Sequence, residues 1–121
     1  MEHIWNAGGR EYYFDVSESE SMNKLNNALA ALCAECGEGD NNGSAGGAIE
    51  HHCSIIGRFF DSVFGEGAGK EICGERRSAE QYTMRYVEFI VFVNRQVEAF
   101  SAMCRDIEEK YLGTLESIAT A

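Results

Sequence analysis

Two thiols three residues apart, Cys33-x-x-Cys36, and the run His51-His52-Cys53 are the side chains best suited to hold a metal. At the end of one helix and the start of the next, Cys33, Cys36, His51 and Cys53 would offer zinc the sulfur and nitrogen ligands it takes in a tetrahedron. Their spacing argues against this. Fourteen residues separate Cys36 from His51, and adjacent residues on a helix diverge by about 100°. Cysteines at helical spacing more often serve as small apolar packing residues, so no metal ligand is assigned. A small metal-binding regulatory module stays open as an alternative. A thioredoxin-type redox role lacks the βαβ context that such a C-x-x-C needs.

Other chemical motifs are incomplete. Glu38-x-Asp40-x-Asn42-Gly43 approaches a calcium loop, but Glu38 stands where Asp belongs and Ile49 where the bidentate Glu belongs. Gly65-Glu66-Gly67-Ala68-Gly69-Lys70 approaches a phosphate loop. Phe64 replaces its first glycine and Glu71 the magnesium-binding Ser or Thr, and it follows a helix instead of a strand. His3, His51 and His52 have no serine or cysteine motif beside them. No catalytic residue and no cofactor is assigned, and an enzyme is not expected.

The rest of the chain speaks for shape. Its 121 residues suit one domain over 1–121. With no proline and 13 glycines, long helices separated by glycine-rich turns are expected. The net charge of −10 disfavours nucleic acid and anionic membranes alike. Five cysteines and the start Met1-Glu2-His3, unlike a secretory leader, go with free thiols in a reducing compartment.

The element pattern predicts a mainly α protein with a small β element (α+β): an amino-terminal β-hairpin on a helical bundle with a long carboxy-terminal helix. The hairpin is expected over 3–16, turning through Asn6-Ala7-Gly8-Gly9. A lone hairpin is marginal in water, so it must pack on a helix or on another chain. Ser17 and Glu20 fit a capping box opening a helix over 17–36, with Met22, Leu25, Leu29, Leu32 and Cys36 on its apolar face. Residues 37–47 read as a flexible linker. A second helix is expected over 48–64, through Ile49, Cys53, Ile56, Phe60, Val63 and Phe64, ending on Gly65 in the left-handed conformation. Gly57 weakens it and marks close packing. A glycine-rich turn covers 65–77, with Arg76-Arg77 favouring the turn before the next helix or, as the alternative, contacting an acidic partner.

Ser78-x-x-Gln81 opens a third helix over 78–118 as a further capping box. Tyr86, Ile90, Val93, Val97, Phe100, Cys104, Ile107, Tyr111, Thr114 and Ile118 alternate spacings of four and three, the pattern of a coiled-coil seam. A helix of that length outreaches a small body. Its seam, above all Tyr86, Ile90, Val93, Val97, Phe100, Ile107 and Tyr111, therefore predicts self-association into a homo-oligomer or partner binding. The β-branched run Val87 to Val93 admits a strand as the alternative.

The block Phe59-Phe60-Asp61-x-x-Phe64-Gly65-Glu66-Gly67, with Ile72 and Gly74 after it, reads as a packed corner. It resembles a family of small tail-morphogenesis proteins of phages and prophages of Gram-positive bacteria, similar to tail assembly chaperones. The hairpin ending in Phe14-Asp15-Val16 and the helix from Met22 to Leu32 fit that family too, so the resemblance covers about residues 4 to 77. It implies a non-enzymatic protein of the bacterial host cytoplasm that binds the tape-measure protein or the tail tube protein. A structural virion subunit of head-tail connector type is the alternative it leaves.

Overall fold

Gly8 and Gly9, with φ of +60° and +77°, turn the chain tightly between β1 (Ile4–Ala7) and β2 (Arg10–Tyr13). Both glycines take the positive φ that such a turn demands. In this computed structural model, which describes residues 2–37 and 43–120 with side chains through Gly113, the strands pair antiparallel, Ile4 with Tyr13 and Ala7 with Arg10. Asn6 and Ala7 thus belong to a strand where the sequence placed them in the turn. Alternation sends Trp5, Ala7 and Tyr12 inward.

Four helices follow among the described residues: α1 (Ser19–Gly37), α2 (Ala45–Phe64), α3 (Ala68–Cys73) and α4 (Ala79–Thr120). The expected class holds, mainly helical with one two-stranded sheet. The hairpin meets the helices through aromatic rings. Trp5 stacks on Phe60 at 5.7 Å and tilts against Phe89 at 5.1 Å. Phe89 also meets Phe14 edge-on at 5.4 Å and Phe64 at 5.4 Å. Such offset and edge-to-face pairs add to the burial of large rings. Trp5, Phe14, Phe59, Phe60 and Phe89 are all buried, so β1, β2, α2 and α4 share one core.

Several boundaries differ from those read in the sequence. Ser17 does not cap α1: its N–H and hydroxyl both donate to Asp15 Oδ1, at 2.9 and 2.6 Å, and the helix begins at Ser19. Cys36, expected on the apolar face, is exposed, whereas Leu25 and Ala28 are buried. Helix α2 starts at Ala45, three residues inside the expected linker, because Ser44 Oγ accepts the Gly47 N–H at 2.9 Å. This cap outweighs the glycines behind it. Residues 38–42, which carry part of the linker and most of the calcium-like run, lie outside the described residues. Ile49, expected in the core, is 43% exposed. The largest difference is α3, a helix inside the expected turn of 65–77.

Candidate interaction surface on the last helix

The corner is built on Asp61. Its Oδ1 accepts the Gly69 N–H at 2.8 Å, satisfying a first-turn donor of α3 that Gly67 cannot reach for lack of a side chain. Gly69 in turn approaches the α2 backbone closely. A Cβ there would stand 2.4 Å from the Gly57 carbonyl oxygen and 2.8 Å from its Cα. The expected close packing at Gly57 is thus real, and its partner is Gly69. Gly65 and Gly74 end α2 and α3 with φ of +111° and +89° at extended ψ, a region essentially confined to glycine. Gly65 is therefore not left-handed as expected; Gly67 is, at φ +90° and ψ −12°. Phe59 and Phe60 are buried in the core and Phe64 is half-buried against it.

The corner aims α4. Ser78 Oγ accepts the Gln81 N–H at 3.3 Å as a cap, but the Gln81 side-chain amide donates back to the Cys73 carbonyl at 2.7 Å instead of closing the box. Tyr82, fully buried, donates its hydroxyl to the Gly74 carbonyl and accepts from Arg77. Arg77 also donates to Glu50 and Ser54 of α2, so it ties two helices together beyond its role in the turn. Residues 87–93 are helical, which removes the strand alternative.

At the other end of the body, Gln96 holds the hairpin. It is 2% exposed. Its Oε1 accepts the Val16 N–H at 3.0 Å, and its Nε2 donates to the carbonyls of Glu2 at 2.6 Å and Phe14 at 2.7 Å. Beside it the Asp15 carboxyl, also buried, is held below the usual carboxylate range. The Ser17 hydroxyl contributes most to this, burial opposes it, and the Ser17 N–H and nearby His3 add to it. His3 Nε2 stands 3.4 Å from Asp15 Oδ2 and has no hydrogen-bond partner. A depressed carboxylate stabilises the fold above its unfolded pKa, about 3.9, and that contribution is lost as pH falls through the lower folded value. Asp15→Asn should therefore flatten the acid limb of the melting temperature against pH below about pH 5. Superimposable limbs for parent and variant would exclude Asp15 as the group responsible.

The inward stripe of α4 runs Tyr82, Tyr86, Phe89, Val93, Gln96, Phe100, again in steps of four and three. Of the predicted seam, Tyr86, Val93 and Phe100 lie on it, with Val93 buried and Tyr86 and Ile90 packed against the core. Burial pushes the Tyr86 phenol up. Beyond the body the apolar residues continue uncovered. Val97 is 42%, Ile107 59% and Tyr111 64% exposed, with Met103 and Leu112 exposed beside them. Cys104 is half-buried. The side chains of Thr114 and Ile118 lie outside the described residues. Where α4 leaves the body, Val97, Phe100 and Cys104 face Val16 and Met22 across a groove of about 430 Å³.

The four candidate metal ligands weighed above, Cys33, Cys36, His51 and Cys53, do not converge. Cys53 is buried in the core while Cys33 and Cys36 are exposed on α1. His51 Nε2 lies 3.3 Å from the Glu35 carbonyl and His52 Nε2 2.7 Å from the Thr83 hydroxyl. Among the described residues no group of three or more His, Cys, Asp or Glu is arranged to hold a metal ion. Burial pushes the Cys53 thiol up, and the Cys73 thiol to about 12, which keeps both protonated at neutral pH. Also among the described residues, no helix is long and apolar enough to cross a membrane.

A family model described as a family of unknown function (DUF6673) matches residues 8–116, and the chain belongs to that family. The match runs from the hairpin turn through the uncovered part of α4. No curated protein and no solved structure matches the chain.

Proposed function

We propose that this chain is a phage or prophage assembly protein of the tail assembly chaperone kind. It would act without catalysis in the host cytoplasm, binding the tape-measure protein or the tail tube protein until assembly covers them. The observation that carries this reading is the stripe of α4 that leaves the body with Val97, Ile107 and Tyr111 exposed. An amphipathic partner helix can lay its apolar face along such a stripe. The net charge of −10 keeps a complex of apolar helices in solution. The resemblance of the Phe59–Gly74 block to tail-morphogenesis proteins supplies the class of partner.

The test is co-expression with the tape-measure protein and the tail tube protein of a phage or prophage that carries its gene. A complex with either should survive size-exclusion chromatography, and Val97→Glu with Phe100→Glu should abolish it while the helical circular dichroism stays. Failure of both proteins to bind would end the proposal. Mass spectrometry of purified particles separates a chaperone, which is absent from them, from a head-tail connector subunit, which is retained.

A further inference from the structure

We infer that a second copy of this chain covers the exposed stripe of α4, with the two helices antiparallel about a two-fold axis beside residues 105 and 106. This rests on reading the stripe as an interaction surface and names its occupant in the absence of a client. At 42 residues and about 1.5 Å per residue, α4 is about 63 Å long. Its last third carries Ile107 and Tyr111 on the line of the face that fills the core earlier in the same helix. A face built for helix and hairpin packing calls for another helix.

Charge selects the copy and its direction. Arg105 and Glu108 line one flank of the groove. Among the described residues neither has an ion-pair partner in its own chain. An antiparallel two-fold sets Phe100 against the second copy's Tyr111 and Cys104 against its Ile107. On the flank the same operation brings Arg105 of each copy to Glu108 of the other, the reciprocity that an isologous interface requires. A parallel pair would instead stack Cys104 on Cys104 and leave these charges unmatched. It would also crowd the bodies of two chains, each chain of net charge −10, at one end, whereas the antiparallel pair holds them apart.

Sedimentation of the full chain carrying Cys33→Ser and Cys36→Ser should show a dimer at about 100 µM. Ile107→Glu lies outside the body, so it should leave the circular dichroism and melting intact while weakening the dimer by about 100-fold or more. Arg105→Glu alone should weaken it, and Arg105→Glu with Glu108→Arg should restore it to within a few-fold of the parent. Under mild oxidation Ile107→Cys should cross-link to Cys104 of the other copy. A monomeric parent overturns the inference, as does a charge swap without rescue or a parent that cross-links through Cys104 alone. A monomer that still binds the tape-measure protein sinks only the dimer. A dimer that binds neither tail protein sinks only the chaperone reading.

Discussion

Gln96→Leu should lower the melting temperature by roughly 10 °C, reflecting a loss of about 3 kcal/mol. Leucine fills the space but leaves the Val16 N–H and the Phe14 and Glu2 carbonyls without their partner. Buried backbone groups stripped of hydrogen bonds cost about 1–3 kcal/mol each, less where water reaches them. Gln96→Glu is the sharper control. It keeps the acceptor for Val16 but turns both donors into a carboxylate facing two carbonyls, so at neutral pH it should be at least as damaging. Thermal melts followed by circular dichroism decide the matter. A loss under about 1 kcal/mol for both variants would show that this amide is not what fastens the hairpin.

Two glycines in contact should respond with opposite signs. Gly69→Ala drives a methyl to 2.4 Å from the Gly57 carbonyl oxygen, which is backbone and cannot rotate away. Helix α3 must then lift off α2 and loosen the Asp61 bond, at a cost of about 3 kcal/mol or more. Gly57→Ala meets only Tyr82 Cε2 at 3.9 Å, an ordinary contact, and gains up to about 1 kcal/mol of helix propensity. Chemical denaturation of both variants reads this directly. If Gly57→Ala destabilises as much as Gly69→Ala, the packing described at the corner is wrong.

These positions also mark where the sequence was readable and where it was not. The hairpin, the three long helices and the aromatic content of the core follow from turn glycines, apolar periodicity and caps, all of them local signals. Gly57 betrayed close packing, but its partner Gly69 sat in what looked like a loop. Helix α3 stayed hidden because its capping carboxylate comes from Asp61, eight residues away, beyond the span that capping rules inspect. On α4 the seam was drawn through Ile90 and Val97, whereas Phe89 and Gln96 face inward. The cause is Gln96 itself. A polar residue in the core stripe breaks the apolar pattern, and only its three backbone partners, up to 94 residues away in sequence, explain its place. The uncovered end of α4 could be anticipated from helix length alone, since a small body cannot cover so long a rod.

The distance in sequence between the hairpin and its fastener has a consequence for synthesis. Phe14 and Gln96 are 82 residues apart, so at about 5–20 residues per second the ribosome delivers the second roughly 4–16 s after the first. Through that interval Trp5, the chain's one tryptophan, has no Phe89 to shelter it. The nascent hairpin can meet Phe60 and Phe64 of α2 early, but its core stays incomplete until the last helix emerges. Indole fluorescence on arrested chains of increasing length would time its docking, which should come only after Gln96 has cleared the exit tunnel.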